Sequence, residues 1–263
     1  MPNNELILEN LLIFDFKGPM AHFRKYYTNS SSLSYLIPPK TVVIGLIAGL
    51  LGLPNERNAK NSDDTYYEIL NSEVCSVAVS LRSKVNRMMQ TINYNFTKTE
   101  GKKILFNKPT QIPLEILIPR DCDEIVYRIY FHHQDKKIYG LLKERLQMKE
   151  YVYPPYMGLT EFLASIDYIA ESRISKSSSR KVEINTVCKL NEVQLEFIDD
   201  NLQYITENMP TGFLSDRTPK KPEEYVLEVK GNVMRVNLKD DVICWSVTYP
   251  EKDSNLTENI LFM

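Results

Sequence analysis

The chain has 263 residues, 43% hydrophobic and 25% charged, the composition of an ordinary soluble protein with one large domain or two small ones. Its 32 lysines and arginines against 34 acids leave a net charge of −2, so there is no global basic field and any polyanion site must be a local patch. Cys75, Cys122, Cys188 and Cys244 are scattered without a C-x-x-C pair, which excludes a zinc knuckle or redox motif and reads as reduced, packed thiols.

The opening MPNNELILEN lacks the cationic and apolar regions of a signal peptide. The longest apolar run, Val42 to Leu53, is shorter than the roughly 20 residues a bilayer span needs. A cytoplasmic protein without membrane contact is expected. Leu6 to Phe16 predicts a strand, stopped by Lys17-Gly18-Pro19. A loop of four aromatics, two cations and a serine cluster follows (HFRKYYTNSSSLSY), and then Pro38-Pro39 opens a buried helix over Val42–Leu51 that ends near Gly52. A short helix is predicted around Thr65–Leu70, with Asp63 or Asp64 as N-cap, and a strand over Val74–Leu81.

The segment Arg82–Lys108 holds seven cations (Arg82, Lys84, Arg87, Lys98, Lys102, Lys103, Lys108) and one acid, Glu100. It also carries Met88, Met89, Ile92, Tyr94 and Phe96, more apolar groups than a merely solvated hairpin exposes. Strands are predicted at Ile112–Ile118 and Ile125–Phe131, an amphipathic helix over Lys136–Met148, and, after the turn YPPYMGLTEF, a strand from Phe162 to Ala170. This β-α-(α)-β-β-α-β order is the split βαβ of a ferredoxin-like (RRM-like) α+β fold over residues 1–170, with an insertion at about 82–108. Residues 171–263 read as a small β-rich C-terminal appendage, with strands near Tyr225–Val229, Val233–Leu238 and Val242–Val247. Its basic run SRISKSSSRK (172–181) reads as a flexible loop, either solvated or touching a phosphate backbone.

Charged and flat-faced, the ligand that suits such a loop is single-stranded nucleic acid. Phe23, Tyr26, Tyr27 and Tyr35 could stack on bases, with one of the adjacent tyrosines expected to face the ligand. Arg24 and Lys25 could pair with phosphates, and the helix start at Lys40-Thr41 could present N–H groups to an anion. Gly158 could let backbone approach RNA closely. GLIAGLLG lacks the ending of a phosphate loop, so Gly45, Gly49 and Gly52 are expected to admit close helix packing. His132-His133 reads as structural.

The run FKGPMAHFRKYYTNSSSLSYLIPPKTVVIGLIAGLLGLP, followed by a basic insertion, TQIPLEILI, PPYMGLTEF and ENMPTGF, resembles the fifth CRISPR-associated protein family. These are RAMP-superfamily subunits of type I Cascade surveillance complexes, and the chain is most similar to the type I-B branch. The resemblance is strongest over residues 14–54. It implies a ferredoxin-like palm with a thumb between its second and third strands, holding the 5′ handle of CRISPR RNA in antiviral defence. The implied partners are that RNA, the Cascade backbone subunit and the large subunit, with target DNA a further candidate. The implied RNA-binding residues are His22, Phe23, Arg24, Lys25, Tyr27, Ser34, Tyr35, Lys40, Thr41, Arg82, Lys84, Arg87, Lys108 and Gly158. No cofactor or metal is expected. One branch of the family, in type I-C systems, is a metal-independent endoribonuclease that processes repeat RNA. Tyr35, His22 and the His132/His133 pair are the only groups that could serve such chemistry here, so a non-catalytic subunit is the expectation and the nuclease its rival.

Overall fold

The computed structural model describes residues 9–28, 31–100, 103–196, 202–214, 216–251 and 254–263, without the side chains of 95–110. Strand β1 (Asn10–Gly18) leads into the aromatic loop, where two-residue strands β2 (Phe23–Arg24) and β3 (Ser34–Tyr35) pair, and then α1 (Lys40–Leu51). Next come α2 (Tyr66–Ile69), β4 (Cys75–Leu81), a long hairpin of β5 (Val85–Glu100) and β6 (Lys103–Pro119), β7 (Ile125–His133), α3 (Lys136–Met148) and β8 (Ser165–Lys176). Eight further strands complete the described chain: β9 (Lys181–Ile184), β10 (Cys188–Lys189), β11 (Val193–Leu195), β12 (Tyr204–Met209), β13 (Glu223–Glu228), β14 (Met234–Leu238), β15 (Trp245–Glu251) and β16 (Ser254–Ile260).

The main sheet has the order β16-β15-β8-β1-β7-β4, with antiparallel neighbours throughout. β1 lies inside this sheet, so its apolar run is buried on both faces, and the period of two divides its side chains. Leu12, Phe14 and Phe16 join Val77, Val79, Ile129 and Phe131 beneath the helices, with Ile47 and Leu50 of α1 and Leu142 and Leu146 of α3. Leu11 and Ile13 face the other way, against Ala78, Tyr130, Val247, Tyr249 and Ile260. At about 1.5–3 kcal/mol for each fully buried large side chain, this two-sided burial is what anchors β1. The helix ends follow the sequence signals. Pro39 precedes α1, Gly52 closes it in the left-handed region (φ 71°), and Asp135 caps α3 by accepting from the Lys137 N–H.

Several expectations are revised. The N-cap of α2 is Thr65, because Asp63 and Asp64 are absorbed in a single 3-10 turn (Ser62–Asp64). Ile112–Ile118 is not a strand of the main sheet but the return arm of the hairpin, which therefore runs to Pro119; periodicity identifies a strand without naming its partner. The basic run after 171 is not all loop, since Ser172–Lys176 continues β8. Nor is the region from 171 onward wholly an appendage. β9–β14 form two three-stranded sheets, β10-β13-β12 and β11-β14-β9, but β15 and β16 return to the main sheet.

That return closes the molecule. Asn185 donates to the Asn259 carbonyl on the outer edge of β16 (3.0 Å), and Val187 donates to the Val79 carbonyl on the outer edge of β4 (2.9 Å). Both edges of the sheet thus meet the same short segment, which covers part of each edge strand. The helix-free face becomes an interior. It encloses an ionic network in which Arg128 grips Asp15 through two nitrogens (2.7 and 2.9 Å) and Glu251 (2.6 Å), while Glu258 accepts from Arg82 (2.5 Å), Tyr130 (2.5 Å) and Tyr249. No helix among the described residues is long and apolar enough to cross a membrane.

Candidate nucleic-acid interface

The aromatic loop is bonded to the root of the hairpin. Ala21 and Leu117 exchange backbone hydrogen bonds (3.0 and 2.8 Å), Ser32 donates to the Pro113 carbonyl (2.9 Å) and Glu115 donates to the Ser32 carbonyl (2.9 Å). β6 therefore pairs with β5 on one edge and with the loop on the other. Side chains complete the joint. His22 sets Nδ1 against the Glu115 carbonyl (2.7 Å) and Nε2 against Ser32 Oγ (2.9 Å), while Ser34 N–H donates to the Glu115 carboxylate (2.8 Å). Burial holds the imidazole below its ordinary pKa despite the Glu115 carbonyl, so the neutral ring donates from Nδ1 and accepts at Nε2.

This docking sorts the loop's residues into inward and outward sets. Phe23 is buried edge-on against Tyr127, with ring centres 5.7 Å apart, and Ser34 is sealed, accepting from Phe23 N–H and donating to the Tyr35 carbonyl. Tyr35 is 1% exposed and its hydroxyl donates to the Asn208 carbonyl (2.7 Å). A ring so enclosed has no face for a base, so the stacking role expected of Tyr35 and Phe23 is withdrawn. Tyr26 and Tyr27 are the outward pair, 53% and 50% exposed and packed edge to face at 5.2 Å. Both face solvent, where only one was expected to face a ligand. Arg24 is exposed beside them, its guanidinium spending one contact on the Thr28 carbonyl (3.1 Å).

The expected cations divide in the same way. Lys25 is buried, with Nζ 2.5 Å from Glu207, and Arg87 reaches both Glu207 (3.5 Å) and Glu115 (3.6 Å). Two cations and two carboxylates thus tie together the loop, β5, β6 and β12. Lys25 carries no charge free for a phosphate, while Arg87 keeps a partly exposed guanidinium. Arg82 points into the closed face of the main sheet, bound to Glu258, and is not a surface contact. Lys84 is exposed and paired with Asp121 (3.2 Å). Lys40 is buried, donates to the Met263 carbonyl (2.8 Å), and has its pKa lowered by that burial. The start of α1, including the partly exposed Thr41, lines a crevice with Gly212, Phe213 and Lys220. Gly158 adopts φ 89°, and a Cβ there would stand 1.8 Å from the His22 carbonyl oxygen; the close approach this glycine permits is to protein backbone. The Lys108 side chain lies outside the described residues.

Among the described residues, the outward groups without an ionic partner include Arg24, Tyr26 and Tyr27 on the loop and Met88, Met89 and Tyr94 on β5. Met89 stands opposite Glu115, the residue that holds Ser34, so the two sets share one joint. Glu115 and Glu207, which build that joint, were missed by sequence reasoning. For Glu115 the signal was present: a lone acid inside the apolar strand QIPLEILIP requires buried partners. Glu207 offered none.

Residues 11–113 match the family model described as CRISPR-associated protein (Cas_Cas5). The matched span runs from β1 through the loop, α1, β4 and β5 to the point where Ser32 meets Pro113. No curated protein matches the chain. Among solved structures, the chain is similar to one described as "CRISPR RNA-guided surveillance complex" (TM-score 0.48, 12% identity, covering 87% of this chain and 91% of that one). It is also similar to a "Crystal structure of Cas protein" (0.44, 12%, covering 84% and 95%). A third is a "Type III-B Cmr-beta bound to cognate target RNA and AMPPnP" (0.44, 10%, covering 86% and 86%).

Proposed function

We propose that this chain is a non-catalytic, CRISPR-RNA-binding subunit of a type I Cascade surveillance complex in the prokaryotic cytoplasm, of the type I-B branch. In this reading β1, α1, β4, β7, α3 and β8 are a ferredoxin-like palm, and the β5–β6 hairpin is its thumb. The palm holds the 5′ handle of the RNA and caps the backbone beside the large subunit. The observation that carries the reading is the coincidence of the family match, residues 11–113, with the loop–hairpin unit that turns Arg24, Tyr26 and Tyr27 outward. The non-catalytic part is supported by how the titratable groups are spent. His132 meets the Asn10 carbonyl (2.8 Å), His133 sets Nε2 against the Ile69 carbonyl (2.9 Å), His22 is bound as above, and burial raises the Tyr35 phenol far from any useful base.

The test is the salt dependence of binding to the chain's own repeat-derived RNA. Tyr27→Ala should remove stacking worth about 1–3 kcal/mol, roughly 5- to 150-fold in affinity, and leave the slope of log K against log salt unchanged. Arg24→Ala should reduce that slope by about 0.7, one phosphate on a single strand. Tyr35→Phe should change neither, and the RNA should be recovered intact in EDTA. Equal slopes for wild type and Arg24→Ala remove Arg24 from the phosphate contacts. Cleavage abolished by Tyr35→Phe or His22→Ala would replace the subunit reading with the nuclease.

A further inference from the structure

Helix α1 has no polar face. Its residues that are not buried are Thr41, Val42, Gly45, Leu46 and Gly49, and the last four recur at i, i+3, i+4, i+7. A helix at the surface of a soluble protein normally carries its charged and polar residues on that stripe, as α3 does with Lys136, Lys137, Glu144 and Gln147. The glycines here were expected to admit close packing, and for Gly52 the chain supplies it, with Val152 methyls 2.9 Å from where a Cβ would stand. For the other two it does not. A Cβ at Gly45 would meet nothing within 4 Å, and one at Gly49 only the Cβ of Tyr153 at 4.0 Å.

A rigid apolar ledge continues this stripe. Val152 N–H and Tyr153 N–H donate to the carbonyls of Leu50 and Gly49 at the end of α1 (3.1 and 3.2 Å), which fixes two side chains that are 47% and 59% exposed. After Pro154-Pro155, Tyr156 and Leu163 pair across an antiparallel bridge, both outward, while Met157 and Phe162 turn into the core. The exposed charges left without an ionic partner around the ledge are acidic, Glu144, Glu150 and Glu161; Lys143 is paired with Glu171 (2.6 Å), Lys149 with Asp167 (2.9 Å), and Arg145 is half-buried with its guanidinium on the Glu150 carbonyl (3.2 Å). Phosphates are disfavoured on such a surface, and a large exposed apolar patch with a polar rim marks protein association.

We propose that this face receives a partner protein through an apolar helix flanked by lysine or arginine, its ridge lying over Gly45 and Gly49 and its edge against Tyr153. Two glycines one helical turn apart open the i±4 groove that a second helix fills, and the basic flank answers the acidic rim. The inference rests on the complex-subunit reading for its choice of probe: the proteins encoded by the genes flanking this one, purified singly.

The decisive variants are Gly45→Lys, which fills the groove from a position with free space around it, and Tyr153→Ser, which alters an exposed ring. Both should leave the melting temperature of the free chain unchanged or raised, because glycine is the poorer helix former at position 45 and position 153 is open to solvent. Both should weaken binding of one flanking-gene product at least tenfold while affinity for repeat RNA stays at the wild-type value. The proposal is overturned if no product loses affinity, if nuclease treatment releases the partner from wild type, or if no product binds. In each of those cases unchanged RNA affinity would show that the RNA-binding reading still stands.

Discussion

Gly158→Ala is expected to be the most damaging single-methyl change in the protein. The added carbon would lie 1.8 Å from the carbonyl oxygen of His22 and 2.7 Å from its carbon, and φ is 89°, a region L side chains rarely enter. Both colliding atoms are backbone, so no rotamer change can relieve them. The chain can only move apart, breaking the His22 N–H to Met157 carbonyl bond (3.0 Å) and with it the seat of the aromatic loop. A cost above about 4 kcal/mol is expected, a large share of the stability of an ordinary domain. Denaturant titration should show a sharply lowered midpoint, and the variant should bind RNA poorly even where it remains folded. Gly45→Ala is the internal control: it meets nothing within 4 Å and should be neutral or stabilising. Equal midpoints for Gly158→Ala and wild type would mean that the loop does not sit where it is described.

Glu258→Gln should cost about 3–5 kcal/mol, the usual consequence of leaving one member of a buried ionic network without its partner. Burial alone would raise the Glu258 carboxyl, but the hydrogen bond and charge of Arg82, joined by the phenols of Tyr130 and Tyr249, outweigh it and hold the group below the ordinary glutamate value of 4.5. A carboxyl depressed on folding contributes stability that is fully present above its unfolded value and is lost as the pH falls through the folded one. Wild type should therefore lose stability on acidification below about pH 4.5 more steeply than Glu258→Gln, whose amide does not titrate there. Parallel pH profiles for the two proteins would show that Glu258 is not the charged centre of the network.

Much of the framework was legible because it is local. The apolar run of β1, the proline and glycine bounding α1, and the apolar spacing of α3 each specify an element without reference to the rest of the chain. Pairing was not legible. Ile112–Ile118 reads identically as a sheet strand or a hairpin arm, and nothing in WSVTYPE announces that it returns to a sheet begun over 200 residues earlier. The candidate site failed in a related way. Phe23, Tyr26, Tyr27 and Tyr35 are equivalent as letters; only the bonds from Ala21 and Ser32 to β6 decide which rings turn inward. The cationic count overstated the patch because Arg82, Lys25 and Arg87 answer acids distant in sequence, Glu258 and Glu207 among them.

The most direct test of the RNA-binding reading is photo-cross-linking of the chain purified with its own RNA, with the attached residues mapped by mass spectrometry. Adducts are expected on Tyr26 or Tyr27, and on Met88, Met89 or Tyr94 of the hairpin, carrying nucleotides from the 5′ handle of an intact CRISPR RNA. Adducts on Tyr35 or Phe23 in place of these, or a chain that purifies without RNA, would contradict it.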